Sequence, residues 1–342
     1  MNVLMIAPSY YPRSGGVEKH ILEINRTLAN RGHVVRVLVR YSPDIPEYQK
    51  HENIEIWRLP QHDNLLGILP WLINHHSLFK NIDVIHSHDY YPRSLRRFVP
   101  KLAWVHTFHG YEGYPLAEDA IHSRQIVRTE VAYCFCVGAF IEKWYGTKCD
   151  TIIYGAVKVP LDIDTVPGAW DIIFYGRLEN DTGFKDYLKG FKIIAEIYPK
   201  TRLLVLGSGT LGSWAGKFAA DNKLNVDFIE WVPDVLPYLK NSKVAFVSGY
   251  LAILEAAAIG KPIISNYQTP IKYDYLDCHP LRDKLNISSS PAAIASSFQK
   301  IWEQPRNLPL DIKTAQEWAL EQSWDKLATL YESSYESTIE TN

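Results

Sequence analysis

Few features of this sequence point to a secreted, membrane-spanning or nucleic-acid-binding protein. Its four cysteines stand at positions 134, 136, 149 and 278 and form no CxxC pair, so we expect reduced thiols in a cytoplasmic protein. The first residues lack the basic start and the small-residue cleavage site of a signal peptide. No apolar run approaches the roughly 18 residues that a membrane span needs. The formal net charge of -2 excludes a bulk electrostatic grip on nucleic acid.

The chain has the length and apolar content of two globular domains. It contains 342 residues, of which 46% are hydrophobic, and domains usually have about 100–200 residues. An apolar run at 3–7 predicts a buried strand, apolar spacing over 17–30 predicts a helix, and 34–39 predicts a second strand. This strand–loop–helix–strand order is typical of a parallel sheet.

The same alternation restarts after a segment without helical periodicity. Residues 158–168 contain two prolines and a glycine, which favours a linker. Strands are predicted at 172–175, 202–206, 226–229, 244–247 and 262–265, with helices at 184–198, 211–222 and 252–259. We therefore expect an α/β protein with two Rossmann-like domains facing a cleft, divided at 1–160 and 161–320, with a closing helical segment at 321–342.

The loop after the first predicted strand contains two adjacent glycines. Gly15 and Gly16 stand directly before the first predicted helix. Glycines let backbone N–H groups approach a ligand closely, and a helix N-terminus adds partial positive charge. The loop suits a phosphate or an acceptor hydroxyl, and a flexible turn is the alternative.

Histidines gather at the ends of two predicted strands of the first half. His86, His88 with Asp89, His106 and His109 occur there. Residues two apart on a strand point the same way, so His86 and His88 share a face. Such spacing can bind metal, but no nearby Cys or Glu completes a tetrahedral set. We expect polar residues of a cleft and no metal.

A glycine-rich turn and an arginine follow two strands of the second half. Residues 207–212 have the pattern GxGxxG, beginning with Gly207 and Gly209. A dinucleotide-binding turn belongs after the first strand of its domain, whereas 172–175 already precedes this one. A nucleotide-contacting turn stays open. Arg177 follows that first strand and suits a diphosphate, with a plain surface arginine as the alternative.

The segment 248–264 leads from a glycine turn into a helix. Glu255 lies about one turn inside it. A carboxylate there can accept both hydroxyls of a ribose, and the helix N-terminus can hold a phosphate. Alternatively, Glu255 faces solvent.

Two further segments carry charge. Asp162 and Asp164 resemble a metal-binding DxD, but they lie in the predicted linker, so we discount them. Residues 93–101 mix four basic residues with apolar ones, near the apolar run 65–73. An anionic membrane surface and a solvated helix face are the two interpretations.

Taken together, these motifs resemble a family. The segments SGGVEKHILEINRTLANRGHVVRVLV, DVIHSHD, HTFHG, YGRLENDTGFKDYLKGF, LLVLGSGTL, FIEWVPDVLPYLKNSKVAFVSG and ILEAAAIGKPII occur in the order found in family 4 of the GT-B glycosyltransferases. The closing SWDKLATLYESSY is similar to the helix that returns to the N-terminal domain in that family. The resemblance covers almost the whole chain.

The resemblance implies a retaining glycosyltransferase that takes its sugar from a nucleotide diphosphate. It needs no cofactor and no metal. The acceptor stays unidentified, with a lipid-linked molecule, suggested by the basic segment 93–101, and a glycan as the candidates. Peripheral contact with the inner face of the membrane is a further expectation. The implied catalytic residues are His109 and Arg177, and His88, Asp89 and Tyr10 lie on the acceptor side. The implied donor-binding residues are Gly15, Gly16, Lys185, Gly207, Gly209, Ser248, Gly249, Tyr250, Leu251 and Glu255.

The sequence departs from the family at two charged positions. The family has a lysine directly before the glycine of its donor segment, where this chain has Thr182 before Gly183, and Lys185 is the nearest lysine. The first of two family glutamates falls near Val247 or Ser248, while Glu255 matches the second. Two alternatives follow: a catalytically inactive homologue that binds sugar nucleotides, or a nucleotide-sugar epimerase.

Overall fold

The computed structural model divides the chain into two compact units. One contains Met1–Ile153 with Trp324–Asn342, and the other contains Tyr154–Ser323. The structure describes residues 1–13, 15–62, 64–99, 101–160, 162–164, 166–304 and 309–341, with the backbone alone at 65 and 309. Position 14 of the glycine loop, position 100 of the basic segment and positions 161 and 165 of the predicted linker lie outside the described residues.

The described part of the first unit is built on an eight-stranded sheet. The strand order is β3-β4-β2-β1-β5-β6-β7-β8, and every pair is parallel except β3–β4. The strands are β1 Asn2–Ala7, β2 Val34–Val39, β3 Tyr48–His51, β4 Ile54–Arg58, β5 Val84–His88, β6 Ala103–Phe108, β7 Tyr133–Val137 and β8 Thr151–Ile153. The helices between them are α1 Gly16–Asn30, α2 Leu65–Asn74, α3 Arg93–Phe98, α4 Glu118–Glu130 and α5 Phe140–Tyr145.

The apolar pattern explains these elements. Val3 to Ala7 are all buried, as expected for a parallel strand that is covered on both faces. Helix α1 buries Ile21, Ile24 and Leu28, which lie on one helical face. The predicted first strand and helix are therefore confirmed by the structure, with the helix beginning one residue earlier.

The second unit contains a sheet of six parallel strands within the described residues. The order is β11-β10-β9-β12-β13-β14. The strands are β9 Trp170–Tyr175, β10 Leu203–Leu206, β11 Val226–Ile229, β12 Ser242–Phe246, β13 Ile263–Asn266 and β14 Leu285–Ser288. The helices are α6 Phe184–Ile197, α7 Gly212–Asp221, α8 Leu236–Lys240, α9 Tyr250–Ala258, α10 Pro270–Asp277, α11 Pro291–Glu303 and α12 Pro309–Glu321.

The second unit begins before the segment that the sequence predicts as a linker. The Tyr154 hydroxyl donates to the Cys278 carbonyl at 3.2 Å, and the Val157 N–H donates to the Gln322 carbonyl at 2.7 Å. Both acceptors, the carbonyls of Cys278 and Gln322, belong to the second unit. These bonds therefore attach residues 154–157 to that unit.

The last helix, α13 Trp324–Glu340, is part of the first unit. The Tyr331 hydroxyl shares a 3.0 Å hydrogen bond with Nε2 of His20, and the Tyr335 hydroxyl shares one of 2.6 Å with Nδ1 of His86. Buried polar groups are costly without partners, so these bonds fix the helix against α1 and β5.

The cysteines differ from the sequence expectation. A disulfide joins Cys136 of β7 to Cys149, whose Cα atoms lie 5.9 Å apart. The expectation of four reduced thiols is wrong for this pair, because α5 and the loop after it bring the chain back beside β7. Cys134 is buried and free, as predicted for a small apolar side chain in a strand.

None of the helices among the described residues combines the length and the apolar character needed to cross a bilayer.

Candidate functional site

In the first unit, three adjacent parallel strands present the predicted residues at one edge of the sheet. Strand β1 pairs with β5, and β5 pairs with β6. The Gly15–Gly16 loop follows β1, His88 ends β5, and His109 follows β6. Polar groups at the carboxyl ends of parallel strands therefore meet at this edge, where α/β folds bind ligands.

The glycine loop leaves room above the helix start. A Cβ at Gly16 would meet no atom within 4 Å, and one at Gly15 would meet only the flexible carboxylate of Glu18. The first N–H groups of α1 have no partner within the helix. The Glu18 carboxylate of the first turn lies beside Gly15, so anion binding at this helix start stays a prediction.

The histidines form a buried cluster with defined partners. Nδ1 of His88 lies 2.9 Å from Nε2 of His109, and the rings of His86 and His88 stack at 4.3 Å between centroids. The predicted shared face of His86 and His88 is confirmed. His106 shares a 2.6 Å hydrogen bond with the Ser87 hydroxyl.

Burial keeps these imidazoles neutral. It lowers the pKa of His109 to about 3, with the Arg124 charge as the second cause. Burial also lowers the pKa of His20, His86, His88 and His106 well below the ordinary range. A neutral imidazole serves as a hydrogen-bond donor or acceptor at pH 7, so His109 is suited to contacting a sugar hydroxyl.

Three histidines lie close enough to suggest a metal site. Ring nitrogens of His20, His88 and His109 lie within 4.8 Å of one another. Nδ1 of His88 bonds to Nε2 of His109, and Nε2 of His20 bonds to Tyr331, whereas Nε2 of His88 is buried with no partner among the described residues. That no metal binds here stays a prediction.

Asp89 and Arg124 hold the loop that contains His109. Oδ1 of Asp89 accepts the His109 N–H at 2.8 Å. The Arg124 guanidinium donates to the Gly110 carbonyl at 2.6 Å and to Glu112 at 2.8 Å. Sequence reasoning missed Arg124 and His20, although each is a polar residue within an otherwise apolar helix face.

Tyr10 lies in the interior of the first unit. Its hydroxyl accepts a 3.3 Å hydrogen bond from Asn25, and burial raises the pKa of Tyr10 to about 12. Its acceptor-side role stays a prediction.

In the second unit, residues predicted to bind the donor also follow adjacent strands. Strand β9 pairs with β12, and β12 pairs with β13. Arg177 follows β9, and its exposed guanidinium forms a 2.5 Å ion pair with Asp181. Ser248 follows β12, where Gly249 caps α9. The edge of this sheet thus carries an accessible cation beside a helix start.

Two glycines of the GxGxxG segment lie where the loop after β10 packs closely against the loop after β9. A Cβ at Gly207, whose φ is +143°, would collide with the Gly176 carbonyl, and one at Gly209 would come within 2.5 Å of the Leu178 carbonyl. The Leu178 N–H donates to the Ser208 carbonyl at 2.9 Å. These contacts account for both glycines without a ligand, and their donor-binding role stays a prediction.

Helix α9 begins two residues earlier than predicted, at Tyr250. The Tyr250 N–H donates to the Tyr275 hydroxyl at 2.8 Å, which fixes the helix start against α10. Leu251 packs close to Gly155, where an added Cβ would lie 2.7 Å from Cδ2 of the leucine. A Cβ at Gly249 would meet no atom within 4 Å, so a ligand has room to approach the backbone of this turn.

Glu255 is buried in α9, with 6% of its surface exposed. Burial, together with the nearby Glu255 carboxylate, raises the pKa of Tyr175 well above its ordinary value. The solvent-facing alternative for Glu255 is therefore wrong.

Two lysines of this unit have aromatic or backbone partners, and the donor-binding role of Lys185 stays a prediction. Nζ of Lys185 lies 5.6 Å from the ring centroid of Trp214 on α7. Nζ of Lys272, in the first turn of α10, donates to the Ser248 carbonyl at 2.6 Å. Sequence reasoning missed Lys272. Its signal is a cation in the first turn of a helix, where the helix dipole disfavours positive charge.

The basic segment also differs from its prediction. Helix α3 ends at Phe98, before Lys101. Arg96 donates to the Leu102 carbonyl at 3.0 Å and stacks on Trp104, while Arg93 lies 3.9 Å from Glu130. The four basic residues therefore do not share one helical face, because the helix ends before Lys101.

Comparisons with known proteins agree along the chain. Residues 14–153 match the family model for Glycosyltransferase Family 4, and residues 169–302 match the model for Glycosyl transferases group 1. A phosphatidyl-myo-inositol mannosyltransferase of Mycobacterium tuberculosis is 23% identical over 247 residues, covering 64% of each protein. The chain thus spans 64% of the length of the curated relatives it matches.

Solved structures share the fold over nearly the full length. A glycosyltransferase from Rickettsia africae has a TM-score of 0.76 at 14% identity, covering 100% of this chain and 99% of that one. Anabaena HepE, solved in complex with UDP, has a TM-score of 0.74 at 13% identity, with 98% and 100% covered. A glycosyltransferase family model matches in each unit, Family 4 in the first and group 1 in the second, and two parallel α/β sheets are shared with these structures, so this chain is a glycosyltransferase with the GT-B fold.

Proposed function

We propose that this enzyme transfers a sugar from a nucleotide diphosphate sugar to an acceptor with retention of configuration. The observation that carries the proposal is the convergence of three groups at one sheet edge of the second unit. Arg177 follows β9, while the Ser248–Gly249 turn and Glu255 follow the neighbouring β12. A cation, an open backbone turn and a carboxylate match a diphosphate flanked by a sugar and a ribose.

Each group has a distinct role in this proposal. Glu255 accepts hydrogen bonds from the ribose hydroxyls, and Arg177 stabilises the charge on the departing diphosphate. Preorganised charge is most effective where charge develops in the transition state. Burial holds His109 of the first unit neutral, so its imidazole can donate or accept a hydrogen bond; the roles of His109, Gly15 and Gly16 toward the donor stay predictions from the sequence. The reaction requires no cofactor.

Complexes of similar proteins support a nucleotide diphosphate donor. Anabaena HepE was solved with UDP and glucose, and the pneumococcal O-GlcNAc transferase GtfA with UDP and GlcNAc. GtfA has a TM-score of 0.72 at 10% identity, over 99% of each chain. These complexes favour a uridine nucleotide as the first donor to test.

For the acceptor, we propose a lipid-linked molecule at an anionic membrane surface. Helix α2 exposes Leu66, Leu69 and Ile73, which are spaced by three and four residues and so lie on one face. This helix packs against α3, where Arg97 is exposed. An apolar face beside basic residues suits partial insertion into an anionic leaflet.

A ligand screen followed by product analysis tests the donor proposal. Thermal shift over UDP-, GDP- and ADP-sugars should identify a stabilising donor, because a ligand at 100 times its Kd stabilises the folded state by about 2.7 kcal/mol. Proton NMR of the bound donor with enzyme and no acceptor should then show slow hydrolysis that first releases the donor's own anomer. Release of the inverted anomer would contradict retention.

An inactive sugar-nucleotide-binding homologue is the second candidate. Thr182 occupies the family's lysine position, and its hydroxyl donates to the carbonyls of Arg177 and Glu179 at 2.9 and 2.8 Å. If donor binds while no hydrolysis or transfer is detected over days, this second candidate is favoured.

A further inference from the structure

Lys272 is a partly buried cation without a carboxylate partner of its own. Its Nζ donates to the Ser248 carbonyl at 2.6 Å and lies 3.8 Å from the ring centroid of Tyr275. Within the described residues, no carboxylate oxygen lies at ion-pair distance from this Nζ. One carbonyl and one aromatic face leave donor capacity on an ammonium group that has three N–H bonds.

The nearest charges do not neutralise Lys272. Burial is the largest cause that lowers its pKa, to about 7; Asp181 raises this pKa and Arg177 lowers it. Asp181 is already paired with Arg177 at 2.5 Å. Two cations therefore share one carboxylate, and a buried charge is stable only when paired.

Both cations lie where the strands of the second unit end. Arg177 follows β9, Ser248 follows the adjacent β12, and the loop after β13 leads into the helix that carries Lys272. The other candidate side chains point elsewhere. The Thr182 hydroxyl bonds to two backbone carbonyls, and Lys185 lies against Trp214.

We infer that Lys272 is the second cation for the diphosphate of the donor, acting with Arg177 in place of a lysine at position 182. The inference rests on the proposed function and adds a binding residue to it. A diphosphate bridging the two side chains supplies the negative charge that the free protein lacks, and charge-assisted hydrogen bonds of this kind are strong. In this arrangement Lys272 contacts the diphosphate and not the nucleoside.

Binding measurements with matched ligands and variants test this inference. Calorimetry compares UDP with uridine, and GDP and ADP with their nucleosides, for the full chain and for Lys272→Met, Lys272→Arg and Lys189→Met, the last at an exposed position of α6. Lys272→Met removes a charged hydrogen bond and should therefore raise the Kd for the nucleoside diphosphates about 10- to 100-fold. Nucleoside binding should stay unchanged, Lys272→Arg should restore most of the affinity, and Lys189→Met should match the wild type.

A second measurement on the unmodified chain covers the case in which Lys272→Met fails to fold. Acetic anhydride labelling with peptide mapping reports the reactivity of each lysine. A saturating nucleoside diphosphate should slow labelling of Lys272 at least about tenfold, since a proton held by the bound anion removes the nucleophile, while the nucleoside alone should have no effect.

The outcomes separate this inference from the proposed function. Diphosphate affinity unchanged in folded Lys272→Met, or labelling of Lys272 unaffected by bound diphosphate, overturns the role of Lys272 and leaves the donor proposal standing. A wild-type chain that binds none of the three diphosphates overturns the donor proposal and this inference with it.

Discussion

Nδ1 of His88 lies 2.9 Å from Nε2 of His109, although 21 residues separate them. The pair joins the ends of two neighbouring parallel strands, and the His109 N–H is held by Asp89. With both imidazoles neutral, one ring donates to the other. This bond orients His109 through contacts within the first unit.

The histidine cluster should make the fold sensitive to acid. The pKa of His109 is about 3 in the folded protein against 6.5 for the free side chain. Below about pH 6.5 the histidine is protonated in the unfolded chain but stays neutral in the folded protein. The free energy of unfolding therefore decreases as the pH is lowered, by about 1.4 kcal/mol per pH unit for each such histidine. Urea unfolding at pH 7.5, 6 and 5 should show this slope.

His109→Gln isolates the contribution of one histidine. The variant should lose part of the pH dependence, and His76→Gln, at an exposed position, should retain all of it. A wild-type pH slope in His109→Gln would contradict the assignment.

Arg177→Ala should lower kcat more than it weakens donor binding. The guanidinium is 60% exposed at the sheet edge and is needed most when the diphosphate departs. We expect a loss of about 2–4 kcal/mol in transition-state stabilisation, measured as kcat and KM for the donor found in the screen. Arg202→Ala is the matched control, since Arg202 also forms a surface ion pair, with Asp227. Equal kcat in the Arg177 variant and wild type would sink the assignment.

Glu255→Gln should weaken nucleotide binding without unfolding the protein. The buried carboxylate accepts two ribose hydroxyls in the proposed complex, and a hydrogen bond to a charged group contributes about 1.5–3 kcal/mol. Calorimetry with UDP and with its 2′-deoxy analogue measures the loss, which should be smaller for the deoxy compound because that compound keeps only the 3′-hydroxyl. Glu230→Gln, at an exposed position, should bind as the wild type does; identical ribose discrimination in both variants counts against Glu255.

The strands and the motif positions were predictable because they depend on local sequence. Strand β1 is a continuous apolar run, and helix α1 has a clear apolar face. His20 and Lys272 were missed because their roles depend on distant partners. His20 bonds to Tyr331, which is 311 residues away, and no local pattern encodes such a contact.

Gly207→Ala should destabilise the second unit. The residue has a φ of +143°, and its Cβ would collide with the Gly176 carbonyl, so the two loops must separate. We expect a loss of about 1–3 kcal/mol or more in unfolding free energy. Gly216→Ala in α7 is the matched control: its Cβ meets nothing within 4 Å, and alanine should stabilise the helix by about 0.5–1 kcal/mol. Equal stability of the two variants would refute the packing role of Gly207.

Membrane contact should depend on the exposed face of α2. Leu66 is 86% exposed and Ile73 is 64% exposed, and Arg97 on the adjoining α3 is exposed as well. Each basic residue near an anionic surface contributes about 1 kcal/mol, and each buried methylene about 0.8 kcal/mol. We therefore expect co-sedimentation with phosphatidylglycerol vesicles at low salt, reduced at least about tenfold in Leu66→Ser with Ile73→Ser.

Two controls make the membrane test specific to that face. Leu310→Ser removes an exposed leucine from the second unit and should leave vesicle binding unchanged. Arg97→Glu should weaken binding, because this side chain is free to approach the leaflet and reversing its charge replaces attraction by repulsion. Vesicle binding that is absent in the wild type would contradict the membrane proposal, and equal binding in the α2 double variant would exclude this face as the contact.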